Sequence, residues 1–383
     1  MPARRLLPLS LLLALVLLTS LPLPQAHAWT LWYVDDAGAD SLTCGTAMDP
    51  CRTIQYAINK AAAHDTISIQ PGTYSAATNG EAFPIAVDKG ITINGSGRDV
   101  TMIDADNAAL DVFSVQGYTL DFYLYGLSLR GGNRGVFISG WTPTFITGLV
   151  DNVRVTGNQT GIYTMRFAGG IEDSDISGNT HLGLHNYYSS PTIEQNAFGF
   201  NGSGGADAAI YNDQSNPNII NNIIGWNNGS GIMNNNSSPT ITNNSIAWNL
   251  QGSGVANFTT SNPTVSNNII ALNEVYGIHA DATSAPVTPY NDVWGNGWGG
   301  YADYYGVGAG AGSISADPRF VSLVDAHLLC SSPAIDAGNN GAPSVPSVDY
   351  DGNPRPVGGT VDMGAYEWQS PFRCPAYLPA VLR

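Results

Sequence analysis

The chain has 383 residues, only 11% of them charged, with a formal charge of −16. A balance this acidic excludes nucleic acid and anionic lipid surfaces as partners. With so few charged side chains, solubility rests on Asn, Ser, Thr and Gly, a composition suited to an extracellular all-β repeat protein.

Residues 1–28 read as a secretory signal. Arg4 and Arg5 precede apolar Leu6 to Leu18, then come Pro22, Pro24 and the small-residue cleavage site Ala26-His27-Ala28. The alternative is an uncleaved anchor, because Leu6 to Leu23 is just long enough to insert. Cleavage removes two arginines and no carboxylate, so the mature chain is more acidic still. No later segment approaches a membrane span. A secreted or surface-attached monomer is expected.

Residues 29–84 read as an N-terminal cap of strand, short helix and strand. Ile54, Ala57, Ile58 and Ala61 recur at helical spacing, followed by the strand Thr66 to Gln70 and the turn Pro71-Gly72-Thr73. A helix there would cover the open first coil and its strand edges. The four cysteines, Cys44, Cys51, Cys330 and Cys374, allow three pairings. Cys44 with Cys51 and Cys330 with Cys374 need the shortest loops, and the spacings do not suit zinc.

Residues 85–316 repeat. Pro191-Thr-Ile-Glu-Gln-Asn196, Pro217-Asn-Ile-Ile-Asn-Asn222, Pro239-Thr-Ile-Thr-Asn-Asn244 and Pro263-Thr-Val-Ser-Asn-Asn268 align, and five residues after each comes a further Asn. That column reads Asn133, Asn158, Asn179, Asn201, Asn227, Asn249, Asn273 and Asn296, and reaches back to Asn107. Each unit is rich in Asn, Gly, Pro and β-branched residues, which excludes helical repeats. Apolar residues alternate in three short runs per unit, so the predicted fold is all-β, a right-handed three-sided parallel β-helix. Stacked amides of the Asn column would bond one another across coils. Trp226 and Trp248 follow inward Ile224 and Ile246 by two residues and are expected in the core. Residues 317–369 break the repeat, are rich in turns, and read as a C-terminal cap; residues 370–383 read as a tail.

These coils resemble the right-handed parallel β-helix repeat family, which includes pectate lyase-like proteins. The opening runs Trp32-Tyr-Val-Asp35, Pro50-Cys-Arg-Thr-Ile-Gln-Tyr-Ala-Ile58 and Asp65-Thr-Ile-Ser-Ile-Gln-Pro-Gly-Thr-Tyr74 carry the resemblance. Ser332-Pro-Ala-Ile-Asp-Ala-Gly338, Asp351-Gly-Asn-Pro-Arg355 and Val361-Asp-Met-Gly-Ala-Tyr-Glu367 are similar to a choice-of-anchor domain. The resemblance implies the fold, whereas the family spans lyases, hydrolases, epimerases and adhesins, so it does not select an activity.

A lyase would need a base and Ca²⁺ to acidify the proton alpha to a uronate carboxylate. Between residues 135 and 318 there is no lysine, and the candidates reduce to Arg166 with Asp173 and Asp175, which otherwise form a solvated charged edge. Without lyase chemistry no cofactor or metal is expected. Asp349-Tyr-Asp351-Gly-Asn353 lacks the distal Glu of a calcium loop and reads as a turn. A hydrolase would need two carboxylates ~5–9.5 Å apart, a separation that adjacent coils provide at ~4.8 Å per rung. The outward positions of the third strand are more suggestive. Tyr163, His185, Tyr211 and His279 share one column; Tyr187, Asp213, Phe258 and Asp281 share the next. Rings cover sugar faces and polar groups bond hydroxyls, so polysaccharide is the expected partner, although tyrosine is also common on any β-surface. Three classes stand: polysaccharide-binding surface protein, carbohydrate-active enzyme, and structural adhesin.

Overall fold

The computed structural model describes residues 29–370 apart from Ala108, Thr119 and Gly299. The signal read in residues 1–28 and most of the tail, including Cys374, lie outside the described residues. No described helix is long and apolar enough to cross a membrane.

Three parallel sheets make up the coil stack, of ten, ten and eleven strands, with a small antiparallel hairpin, Phe320–Ser322 with Asp325–Leu328, beside them. The first sheet runs from Leu31–Val34 to Thr264–Ser266. The second runs from Gly72–Tyr74 to Asp292–Trp294, and the third from Ile85–Val87 to Tyr304–Tyr305. The chain visits each sheet once per coil, and every rung pairs in parallel with the next, a right-handed parallel β-helix. Strands Leu31–Val34, Thr66–Ile69 and Gly72–Tyr74 pair within these sheets, so the stack begins inside the segment expected to be only a cap.

Alternation places one side chain of every short strand inside. Ile171, Ile193, Ile219 and Ile241 file down the first sheet. Ile176, Phe198, Ile224 and Ile246 file down the second, and Ile162, Leu184, Ile210 and Ile232 down the third, all buried. No coil can bury this face alone, so the rungs stabilise one another. The N-terminal end is closed by helix α1 (Ile54–Lys60), whose Ile54, Ala57 and Ile58 are buried. Its first turn is satisfied by Thr53 Oγ1, which accepts from Tyr56 N, and by the Glu81 carboxylate, which accepts from Ile54 N and Gln55 N. Cys44 and Cys51 form a disulfide beside it.

Three asparagine columns tie the coils. In the first, each Nδ2 donates to the next Oδ1, from Asn158 through Asn179, Asn201, Asn227, Asn249 and Asn273 to Asn296, at 2.8–3.2 Å. Asn296 ends on the Asp303 carboxylate. Asn133 is not in this column: Gly132 holds the register, its N–H donating to Asn158 Oδ1, and Asn133 faces Asp111 instead. A second column joins Asn196, Asn222, Asn244, Asn268 and Asn291. A third, unnoticed in the sequence, joins Asn186, Asn212, Asn234 and Asn257 inside the third sheet. An amide column is a good interior solution because one side chain supplies both donors and acceptor, leaving no buried polar atom unmet.

Two expectations fail here. Trp226 and Trp248 are not in the interior. Both adopt φ of 59°, and this left-handed turn breaks the alternation, turning the indole out and the following Asn in. The rings lie nearly parallel 5.9 Å apart on the outside of the second sheet, under Phe320 and Ala326. Residues 317–369, read as a cap, lie along the flank of the coils instead of on their end. The segment covers the outer side of the second sheet, where Leu328, Ala334, Ile335 and Met363 pack on Ile269 and Ala271. It is held by the left-handed turn residues of successive coils. Gln195 donates to Asp349 O and Tyr350 O, Asn221 to Val348 O, Asn243 to Asp362 O, and Asn267 to Asn339 O. Buried Arg355 bonds Glu367, Gly364 O and Asn221, so the Asp351–Arg355 and Val361–Glu367 motifs meet at this seam. The opposite end of the stack is closed by Tyr304 and Val307.

Candidate functional site

The outward face of the third sheet is built by the same alternation. Where Ile162, Leu184 and Ile210 point in, Tyr163, His185 and Tyr211 point out. Register sets Phe137, Tyr163, His185, Tyr211, Met233, Ala256, His279 and Tyr305 in one file. Consecutive ring centroids are 5.6 Å apart from Phe137 to Tyr163, 4.5 Å from Tyr163 to His185, and 4.9 Å from His185 to Tyr211. The Arg134 guanidinium, paired with Asp111, covers Phe137 at 3.6 Å. The adjacent file holds Met165, Tyr187, Asp213, Asn235 and Phe258. Tyr187 packs edge-on against Tyr188, over which Arg166 sits at 5.7 Å, and Asp213 accepts from Asn235.

Electrostatically this face is quiet. Burial between the two tyrosines pushes His185 down to about 4, so it is neutral above that pH, and its Nε2 has no protein partner. Burial raises Tyr163, and burial with Asp213 raises Tyr211, keeping both phenols protonated. Towards the C-terminal end, Phe258, His279, Tyr276, Tyr301 and Tyr305 form a second ring cluster at 4.8–5.3 Å. Asp281 is not a free group on this face: its carboxylate accepts from Thr259 N and from Thr283 N and Oγ1, and the Thr259 bond leads in holding it well below the usual carboxylate range.

Arg166, Asp173 and Asp175 are not brought together. Arg166 follows the third-sheet strand Thr160–Met165, before Gly170–Glu172 of the first sheet, and Asp173 follows that strand at its other end. Asp175 pairs with Arg154 at 3.2 Å. Arg130, Arg134 and Arg154 are all paired with aspartates, and the two lysines donate to backbone carbonyls near the N-terminal end. Among the described residues, one group of three potential ligand atoms lies within metal-binding distances, Asp40, Cys44 and Cys51, and both sulfurs are committed to the disulfide.

An acidic file escaped the sequence reading. Asp151, Glu172 and Glu194 occupy one outward position of the first sheet on successive rungs. Burial first, then mutual repulsion and Asp173, raise Glu172; burial and Asp173 raise Asp151 and Glu194. Their recurrence one coil apart, each followed by Asn, Asp or Gln, was the available signal.

Fold and site together define a right-handed parallel β-helix with a ring-bearing sheet. Residues 160–316 match the family model described as "Right handed beta helix region". No curated protein matches the chain. Among solved structures the chain is similar to pectate lyase Pel9A, with 16% identity over 88% of this chain and 96% of that one and a TM-score of 0.67. It is also similar to a rhamnogalacturonan lyase, with 14% identity over 77% and 91% and a TM-score of 0.52. Identities this low speak to the fold alone.

Proposed function

We propose that this protein is an extracellular polysaccharide-binding β-helix that holds its glycan along the outward face of the third sheet. The observation that carries this reading is the in-register file of Phe137, Tyr163, His185 and Tyr211 rings, flanked by Tyr187 and Asp213. A sugar chain advances about 5 Å per unit, close to the ~4.8 Å rung spacing, so successive sugars meet successive coils. Each contact is weak and several act together.

A carbohydrate-active enzyme is the second reading, supported by the likeness of fold to two polysaccharide lyases. The cation beside the acidic file is Arg98, which lines one cavity with Asp151, Asp173 and Asp175 and donates to Asp173 O; it is the group that such an enzyme would use to take a proton or to hold a uronate carboxylate. The test is retention on a polysaccharide panel, with release of unsaturated products and reducing ends assayed in parallel. Tyr187→Ala with Tyr211→Ala should abolish retention on the polysaccharides that this face holds and leave the melting temperature unchanged, because both side chains point away from the core. Product release would favour the enzyme. Normal retention by the double variant would remove this face from consideration, and a parent protein that no glycan retains would put a structural adhesin ahead.

A further inference from the structure

The first sheet carries a separate cleft, of about 430 Å³, lined by Trp29, His64, Thr92, Asp121, Tyr123 and Tyr125 among others. Tyr123 and Tyr125 are alternate residues of the strand Asp121–Tyr125, so both leave the sheet on its outer side while Phe122 and Leu124 fill the core. Their ring planes differ by only 11°, with centroids 6.3 Å apart. The adjoining rungs supply hydroxyls, because Thr66 and Thr92 stand in register with Tyr123. Trp29 is 80% exposed at the rim. Parallel rings, a free indole and a few convergent polar groups in one concavity are the composition of a small-ligand site.

The surroundings select the ligand. The file that holds Tyr125 continues, rung by rung, into Asp151, Glu172 and Glu194. A glycan extending along the sheet from the tyrosines therefore passes three carboxylates, on a chain whose formal charge is already −16. Uronate-bearing chains are repelled on that path, where the three carboxylates outnumber the one arginine, Arg98, that lines the cavity at Asp151, whereas uncharged sugars carry no penalty and can donate hydroxyls to the carboxylates. We propose that this cleft is a second glycan site, on a different face from the third-sheet platform, and that it takes neutral, ring-stacking oligosaccharides. The two sites are independent: one sheet's rings can be removed without touching the other's.

The experiment is calorimetric titration of the full chain with cellohexaose, a neutral β-1,4-linked hexamer, and with polygalacturonate. The unaltered protein should bind cellohexaose. Tyr123→Ala with Tyr125→Ala should weaken one class of cellohexaose sites at least tenfold. Tyr123→Phe with Tyr125→Phe, which keeps the rings, should retain binding and serves as the folding control beside thermal melts. Tyr187→Ala with Tyr211→Ala should leave that class in place, and Glu172→Gln with Glu194→Gln should relax rejection of polygalacturonate. If cellohexaose does not bind, or if the Tyr123/Tyr125 alanine variant binds it as the parent does, the second site is refuted. Loss of cellohexaose binding in the Tyr187/Tyr211 variant alone would also refute it while leaving the third-sheet platform standing.

Discussion

The indole Nε1 of Trp226 donates to the Leu323 carbonyl at 2.9 Å, joining a turn of the coil stack to the hairpin of the C-terminal segment. Trp248, stacked on Trp226 and touching Phe320, continues the same seam. These tryptophans hold a clasp and leave the interior to isoleucines. Trp248→Ala should therefore release residues 317–369 to protease while the coils keep their β-sheet circular dichroism. Cooperative loss of the whole stack would show that the clasp and the coils are one folding unit.

The Asn227 side chain makes five hydrogen bonds. Its Nδ2 donates to Asn249 Oδ1, Phe198 O and Gly225 O, and its Oδ1 accepts from Asn201 N and Nδ2. Leucine has the same branched skeleton, is bulkier, and strands all of these partners in a buried site. Asn227→Leu should cost on the order of 3 kcal/mol or more, given ~1–3 kcal/mol per unmet buried group. Chemical denaturation would measure it, and an unchanged midpoint would deny the column its stabilising role.

Asp292 is fully buried, with one oxygen accepting from Ala316 N and the other unpartnered. Burial pushes it up to about 7. The folded state thus keeps a proton that the unfolded chain would lose near pH 4. The sign follows: the neutral acid costs nothing below pH 4, and stability is lost as pH rises towards 7. Asp292→Asn should raise the melting temperature at pH 8 and change it little at pH 4. Equal effects at both would mean that the carboxyl is not titrating there.

His185 works in the opposite sense. Its folded value, about 4, lies below the ordinary one, so the unfolded chain takes up the proton first and stability falls as pH drops from 6.5 towards 4. His185→Phe keeps a ring between Tyr163 and Tyr211 and cannot titrate. It should flatten that part of the melting profile, although His279, also lowered by burial, keeps a residual slope. A variant with the parent's full slope would place the proton uptake elsewhere.

Much of this architecture could be read from the chain because its period is written in asparagines and each coil buries one aliphatic residue per sheet. The outward ring columns were legible for the same reason, since strict alternation fixes a side chain's direction. Reading failed where the backbone leaves that alternation. The φ of 59° at Trp226 and Trp248 reverses two side chains that a two-residue period assigns to the interior. Asn133 misled because Gly132, with no side chain to announce it, occupies the column's place. The docking of residues 317–369 was hidden for another cause: its partners, such as Arg355 and Asn221, lie 134 residues apart and obey no repeat. The acidic file needs residues placed on a common rung, for which recurrence one coil apart is the sequence's one cue and the pairing register the proof.

All three asparagine columns run the same way, each amide donating to the oxygen of the later coil and accepting from the earlier one, while in the first two columns Nδ2 also donates back to a backbone carbonyl of the earlier coil. Their dipoles add along the stack as peptide dipoles add along a helix, with the positive pole at the C-terminal end. The Asp303 carboxylate that accepts the last bond of the first column is a negative charge at that pole. Coils between Asn179 and Asn273 are therefore electrically interchangeable, whereas the last is not. A gene duplication could lengthen the cylinder by whole turns anywhere upstream of Asp303, but a coil appended beyond it would find the current already terminated.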